Sequence, residues 1–181
     1  MASPSLSPSA SPSPSASSPP SPVASLSPSP SEGQSSGATV DCTEDLLTVV
    51  VKKVSSPVNH LLIEAVNKGS RTCVLYEFPY MRFTADREEP VEPVEDSSPN
   101  AVVTLVPGAT AYAGVTTAST DGSGAASGHR ATTFGLVMLT EEDGGDQTEA
   151  QIPLPGGSLY VEDDSARVTY WQVSRGDALM W

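Results

Sequence analysis

Short runs of β-branched and aliphatic residues, separated by turn residues, most limit what this chain can fold into. The groups between them, such as Ser-Ser-Pro and Asn-Lys-Gly-Ser, favour turns. In the run 58–66, Leu61, Ile63 and Ala65 are spaced two residues apart and can share one face, because every second side chain of a β-strand points to the same side. No segment has a convincing helical pattern, so we predict an all-β protein built as an antiparallel β-sandwich. The candidate strands are residues 46–54, 58–66, 72–78, 101–106, 110–118, 131–139, 158–163 and 167–173. The acidic segments 84–100 and 141–151 and the Gly/Ser-rich segment 119–130 are predicted to be mobile loops.

The first 37 residues have a different composition. They are almost entirely serine, proline and alanine, and no charged side chain precedes Glu32. Such a segment has too little apolar surface to offset the entropy of an ordered chain, and its prolines favour extended conformations. The sequence therefore predicts a disordered Ser/Pro-rich stalk over residues 1–37 and a single β-sandwich domain over residues 38–181.

The charge of the chain is strongly negative. Its 22 acidic residues outnumber 9 lysines and arginines, which gives a formal net charge of −13. A surface of this kind repels nucleic acid and anionic lipid, so we expect no nucleic-acid partner. No window approaches the ~18 consecutive apolar residues of a membrane span, so we expect no direct membrane insertion.

The opening stretch MASPSLSPSASPSPS is typical of the stalk that follows a signal peptide or a lipid-anchored cysteine. We therefore expect an extracellular or envelope-attached protein whose export signal is absent from this sequence. A cytosolic protein with a disordered arm is the alternative.

Cys42 and Cys73 are the two cysteines of the chain. In a protein expected outside the cytoplasm they most simply form a disulfide, which would close a loop of about 30 residues. Two alternatives stay open at this point: free buried thiols, or a role in metal binding or catalysis. A metal site would need two more soft ligands, and His60 and His129 are not at metal-finger spacing from either cysteine.

Three segments resemble a known family: DCTEDLL at 41–47, LLIEAVNKGSRTCVLYEFPYMRF at 61–83 and VTLVPGATAYAGV at 103–115. They resemble DUF4232, a secreted actinobacterial domain of unknown function. In that family a cysteine opens the domain, an Asn-x-Gly/Ser-x-x-Cys-x-Leu-x-Gly-x-Pro segment follows, and a Leu-x-Pro-Gly turn comes later. The resemblance implies an immunoglobulin-like β-sandwich in an exported protein, often a lipoprotein. This chain departs from the pattern at Glu77, where the motif has glycine, and it lacks the second cysteine pair that many members carry late in the domain.

Two turns in these segments have a physical interpretation. Asn67 tolerates a positive φ and Gly69 adopts one freely, so we expect them to reverse the chain and carry Cys73 back beside the strand that Cys42 begins. The pair Pro107-Gly108 predicts a hairpin turn. Pro79 should confine the strand that follows it to a sheet edge or an irregular turn.

The aromatic residues after the second cysteine are candidates for a binding surface. Tyr76, Phe78 and Tyr80 alternate with other residues, so one face of an extended segment could serve as a ligand platform. Packing against the core is the alternative. Trp171 lies in a good strand pattern and is expected in the core.

No catalytic, cofactor or metal site is assigned from the sequence. There is no G-x-S-x-G elbow, and the glycine-rich segment 122–128 precedes a β-like run rather than the helix of a phosphate loop.

We expect His129 to face solvent, while the burial of His60 is left open. Two acidic groups suggest calcium, but their spacing does not match a calcium loop, and we expect solvated, mobile loops instead. These groups are Glu88, Glu89, Glu92, Glu95 and Asp96, and Glu141, Glu142, Asp143, Asp146 and Glu149.

These observations predict a non-catalytic module of the bacterial envelope with a binding, structural or accessory role. We expect it to be a monomer without a cofactor, and its partner to be an envelope protein or glycan that the sequence does not identify. An extracellular sensor domain of a larger membrane protein and a hydrolase with an unrecognised site are the alternatives.

Overall fold

Short β-strands make up most of the chain in the computed structural model, which describes residues 38–83, 89–120, 127–141 and 149–181. The strands are β1 (Val40–Asp41), β2 (Leu47–Lys53), β3 (His60–Asn67), β4 (Cys73–Leu75), β5 (Tyr80–Phe83), β6 (Glu92–Val94), β7 (Val103–Leu105), β8 (Thr110–Thr116), β9 (Gly128–Ala131), β10 (Thr133–Val137), β11 (Ala150–Pro153), β12 (Leu159–Glu162) and β13 (Arg167–Thr169). Within these ranges the helical elements are two 3₁₀ turns, Glu44–Leu46 and Glu95–Ser97, and the single turn α1 (Arg175–Ala178). None of these is long and apolar enough to cross a membrane. The all-β prediction is confirmed, while the predicted stalk lies outside the described residues and its boundary stays a prediction.

The described strands form four sheets. The largest has the order β2-β3-β8-β13-β6, and the others have the orders β1-β4-β7, β11-β10-β5 and β12-β9. The main ladders are antiparallel, as predicted. Two pairs are parallel, β1 with β4 and β6 with β13, and in both an edge strand is added to a sheet.

The core joins the five-stranded sheet to the three smaller sheets. Leu61, Ile63 and Ala65 on β3 are at most 1% exposed and belong to this core, so the predicted alternation is confirmed. Trp171 is also 1% exposed, as expected. The smaller sheets contribute Leu75, Leu105, Met81, Phe83, Phe134, Leu136, Ala131 and Val161. Burying such side chains stabilises the fold by about 1.5–3 kcal/mol for each large aliphatic or aromatic residue.

The other face of β3 is partly covered by the last residues of the chain. Leu62 packs with Val54 and Ala178, and all three are buried. A Cβ atom at Gly114 would overlap the carbonyl oxygen of Ala178. The helical turn α1 can therefore approach β8 closely because residue 114 is a glycine.

His60 holds the end of this covering segment. Its side chain is buried, with Nδ1 2.6 Å from the Val58 carbonyl oxygen and Nε2 2.9 Å from the Trp181 carbonyl oxygen. Nε2 also lies 3.0 Å from the Thr116 hydroxyl. These contacts account for the burial of His60, which the sequence left open, and give it a structural role.

The turn after β3 is organised by the side chain of Asn67. Its Nδ2 donates hydrogen bonds to the carbonyl oxygens of Arg71 at 2.8 Å and Leu105 at 2.9 Å, and its Oδ1 accepts one from the Gly69 N–H at 2.9 Å. Neither Asn67 nor Gly69 has a positive φ, so the expectation that Gly69 supplies one for this turn is wrong. Gly69 is instead tightly packed, since a Cβ atom there would lie 3.0 Å from Cδ2 of Leu46.

Pro107-Gly108 forms a turn between sheets rather than a hairpin. Gly108 has a φ of +81°, and the Ala109 N–H donates to the Val106 carbonyl oxygen at 2.9 Å, as in a type II turn. The hairpin prediction is wrong because β7 pairs with β4, whereas β8 pairs with β3. The Gly108 N–H also donates to the Asn67 carbonyl oxygen at 2.8 Å, so the two turns support each other.

The predicted disulfide is present. Cys42 follows β1, Cys73 begins β4, and the two strands pair with Val40 opposite Cys73. The bonded cysteines have Cα atoms 5.0 Å apart, and neither side chain is exposed. The bond therefore links the first described strand to the central strand of a sheet.

Three segments predicted to be loops contain strands: β6 lies within 84–100, β9 begins within 119–130, and β11 begins within 141–151. β6 and β9 pair with strands remote in the sequence, whereas β11 pairs with β10, the strand that precedes it. Pro93 is tolerated in β6 because this is an edge strand. β5, which follows Pro79, is likewise at a sheet edge, as expected.

Candidate functional site

A cleft of about 550 Å³ lies where the end of β5 meets β6, β9, β12 and β13. Its apolar wall is formed by Phe83, Val91, Val161 and Ala166. Its charged and titratable lining residues are Glu89, Glu92, Asp163, Asp164, Arg167 and His129. Four carboxylates and one guanidinium group thus lie along the described lining, so this lining is acidic.

His129 and Asp163 form a close pair in this cleft. The antiparallel pairing of β9 with β12 places His129 opposite Val161, and Asp163 follows two residues later. His129 Nδ1 lies 2.7 Å from Asp163 Oδ1, and the two side chains are 17% and 22% exposed. Because a carboxylate accepts this hydrogen bond, Nδ1 carries the proton. The expectation that His129 faces solvent is therefore wrong.

The other nitrogen of His129 has a different environment. Nε2 is buried and makes no hydrogen bond within the described part of the chain. A catalytic triad would require this nitrogen to reach a nucleophile. The pair instead connects β9 to the turn after β12 and fixes the position of the Asp163 carboxylate.

Arg167 neutralises part of the negative charge that β6 contributes to the cleft. Its position on β13 is opposite Glu92 on β6, and the two side chains make an ion pair of 3.1 Å. The same guanidinium donates to the Ala166 carbonyl oxygen at 2.7 Å. Glu89 and Asp164 are both exposed at the cleft, so their carboxylates are accessible to a ligand.

The geometry around these acids does not resemble a metal centre. Among the described residues, no three His, Cys, Asp or Glu side chains are grouped so that they could hold a metal ion. The acidic residues of the second predicted loop lie mostly in 142–148, outside the described ranges. Glu95 instead accepts a hydrogen bond from the Tyr170 hydroxyl at 3.1 Å.

The three aromatic residues suggested as a binding surface, Tyr76, Phe78 and Tyr80, have different surroundings. The Tyr76 hydroxyl donates to Asp41 Oδ1 at 3.3 Å, and desolvation together with the Asp41 and Glu141 carboxylates raises the pKa of this hydroxyl. Phe78 packs edge-on against Tyr170, with ring centroids 5.3 Å apart. Tyr80 is 37% exposed. The surface itself stays a prediction, and the cleft offers a more concave site.

The family can be assigned by comparison with known proteins. The sequence profile of DUF4232, a domain of unknown function, matches residues 42–172. The chain belongs to this family. No curated protein and no solved structure matches it.

The structure gives physical roles to the DUF4232 motif positions in this chain. Asn67 holds the turn before β4, Cys73 forms the disulfide, and Leu75 is 1% exposed in the core. Gly108 supplies the positive φ of the later turn. Glu77, which replaces the glycine of the motif, has a φ of +48° in the left-handed region. Its carbonyl oxygen accepts a hydrogen bond from the Trp171 N–H at 2.9 Å, which links this turn to the core.

Replacing Glu77 by glycine should therefore stabilise the domain. A left-handed conformation costs a residue with a Cβ atom about 1–2 kcal/mol, and the greater freedom of glycine in the unfolded chain offsets part of this gain. We expect the free energy of unfolding to rise by about 0.5–1 kcal/mol in urea denaturation. Glu77→Ala is the matched control because it removes the side chain but keeps the Cβ atom. A Glu77→Gly domain no more stable than Glu77→Ala would contradict this interpretation.

Proposed function

We propose that this DUF4232 domain is a non-catalytic binding module of the bacterial envelope, and that its cleft receives a positively charged group of the ligand. The disulfide supports a location outside the cytoplasm, because such bonds persist in oxidising compartments. The Ser/Pro-rich segment before the domain would act as a spacer. The acidic cleft is the observation on which the binding role rests.

Charge complementarity indicates the class of ligand. The described lining has four carboxylates, of which Glu92 is paired with Arg167 and Asp163 with His129. Glu89 and Asp164 remain exposed at its surface. A net charge of −13 adds a long-range attraction for cations. An ammonium or guanidinium group, with its alkyl part against the apolar wall, fits this cleft.

The absence of a nucleophile hydrogen-bonded to His129 within the described residues favours binding over catalysis. A general base must lie within hydrogen-bond reach of the proton that it abstracts. Buried Nε2 does not meet this requirement in the present arrangement. We therefore assign the His129–Asp163 pair to holding the wall of the cleft in place.

The proposal can be tested by titrating the full chain with cationic probes at low and at physiological salt, followed by ¹H–¹⁵N NMR. Tri-arginine, tri-lysine and glucosamine oligomers separate a protein partner from an amino-sugar glycan, and tri-glutamate is the negative control. We expect saturable binding of a cationic probe, with shifts centred on the amides of Asp164 and Arg167. The affinity should fall as salt increases because the contacts are partly exposed.

Variants should show whether the cleft is responsible. Glu89→Gln combined with Asp164→Asn should weaken binding about tenfold, since each removes a partly solvated attraction. Asp96→Asn is the matched control, because it removes one exposed carboxylate from a 3₁₀ turn outside the cleft. Equal losses for Asp164→Asn and Asp96→Asn alone would reveal unspecific attraction and overturn the assignment. Hydrolysis of an ester or peptide that His129→Gln abolishes would overturn the non-catalytic role.

A further inference from the structure

The strand β2 presents an unpaired edge of the five-stranded sheet. At one end of its ladder with β3 the Lys68 N–H donates to the Leu46 carbonyl oxygen at 2.9 Å, and at the other the Val54 N–H donates to the His60 carbonyl oxygen at 3.3 Å. Hydrogen-bonded pairs alternate along an antiparallel ladder. Thr48, Val50 and Lys52 therefore bond to β3, because they occupy the same alternate positions.

The intervening residues direct their backbone groups away from β3. These are Val49, Val51 and Lys53, whose N–H and C=O groups make no hydrogen bonds to other described residues. Every second residue of a strand bonds to the same neighbouring strand, so these three alternate residues could pair with one further strand. Strand addition to such an edge is a common mode of peptide recognition.

The charge of β2 differs from that of the protein as a whole. The chain has three lysines in a molecule of net charge −13, and two of them, Lys52 and Lys53, are on β2. The third, Lys68, lies opposite Leu46, the residue that precedes β2. Lys52 is bonded to Glu64 at 2.6 Å, whereas Lys53 is exposed. The edge is thus basic at its Lys53 end, whereas Glu44 and Asp45 precede its other end.

We propose that β2 binds an extended acidic peptide segment, which adds to the five-stranded sheet as a sixth strand. Its backbone would pair with Val49, Val51 and Lys53, and a carboxylate near one end of the peptide would contact the exposed Lys53 ammonium group. A second copy of this chain is disfavoured as the occupant, because the repulsion between two molecules of charge −13 exceeds the repulsion between this chain and a short peptide with a few carboxylates. The inference is independent of the cleft, which β2 does not line.

Hydrogen exchange gives a residue-by-residue test with an internal control. In the free protein the amides of Thr48, Val50 and Lys52 should be protected, while those of Val49, Val51 and Lys53 should exchange rapidly. The probe is a capped synthetic peptide of about eight residues in which valine and glutamate alternate. Adding it should slow exchange at the three outward amides by about tenfold or more.

Matched peptides and variants separate strand addition from charge attraction. The same peptide with a central proline keeps its charge but interrupts the strand, and replacing its glutamates by lysines keeps its length but reverses its charge. Both changes should abolish the slowing. Lys53→Glu should weaken binding of the acidic peptide about fivefold or more, since it reverses an exposed charge beside the bound strand. Arg175→Glu on α1 makes the same charge change on a turn that covers the sheet face at Leu62 and β8 rather than the outward edge of β2, and should alter the affinity less than about twofold.

Three results would overturn the proposal: unchanged exchange at Val49, Val51 and Lys53 with millimolar acidic peptide, equal binding of the lysine peptide, or dimers of the free chain that protect the same amides. The last result would identify a second copy as the occupant.

Discussion

Replacing Asn67 by alanine is expected to lower the free energy of unfolding by about 3–5 kcal/mol, because the change leaves buried polar groups without partners. The side chain is 1% exposed and bonds to the carbonyl oxygens of Arg71 and Leu105 and to the Gly69 N–H. Alanine can replace none of these bonds and also leaves a small cavity. Urea denaturation at neutral pH measures the effect.

Asn67→Asp distinguishes lost donors from lost volume. Aspartate has nearly the same shape, but its carboxylate cannot donate to the two carbonyl oxygens that it would face. We expect a loss of similar size at neutral pH. The loss should be smaller near pH 4, because protonation of the introduced aspartate restores one hydrogen-bond donor. Asn100→Ala is the matched control, because Asn100 is exposed. An Asn67→Ala domain as stable as Asn100→Ala would contradict the role assigned to this side chain.

Removing the disulfide should have an effect of comparable size. The cysteines are separated by 31 positions in the sequence. Closing a loop of this length is worth about 3.5 kcal/mol in the chain-entropy model, within the usual range of 2–5 kcal/mol. The double variant Cys42→Ala/Cys73→Ala should therefore unfold at a much lower urea concentration than the oxidised protein, with a further small loss from the two buried sulfur atoms.

Reductant supplies the control for this experiment. Dithiothreitol should lower the stability of the wild-type protein to nearly that of the double variant and should leave the double variant unchanged. A wild-type midpoint that does not respond to reduction, with the thiols shown by alkylation to be free, would contradict the contribution assigned to the bond.

The sequence was most informative where a local pattern and a long-range contact agree. Leu61, Ile63 and Ala65 alternate, and each packs in the core, so the face of β3 could be predicted. Pro107-Gly108 predicted the turn but not what it connects, because the partners of β7 and β8 lie elsewhere in the chain. Glu92–Val94 has no strand pattern at all, and its conformation follows from pairing with β13.

The candidate site was harder to predict for the same reason. His129 follows a glycine-rich segment, which favoured an exposed histidine, whereas its partner Asp163 lies 34 residues away. Only the register of β9 against β12 brings them together. Glu89 and Glu92 were recognised as part of an acidic group, but their position beside Asp164 depends on the folding of three separate segments. No local spacing encodes these contacts.

The linkage between β1 and β4 also determines how the domain responds to mechanical tension. A pull that arrives along the chain through Val40 meets Cys42 almost at once, and the covalent bond transfers it directly to Cys73. Residues 43–72 are thereby bypassed and cannot be drawn out while the bond is intact. At full extension this segment would contribute about 100 Å of length, at roughly 3.5 Å per residue. The extensibility of the domain under load therefore depends on the redox state of its surroundings.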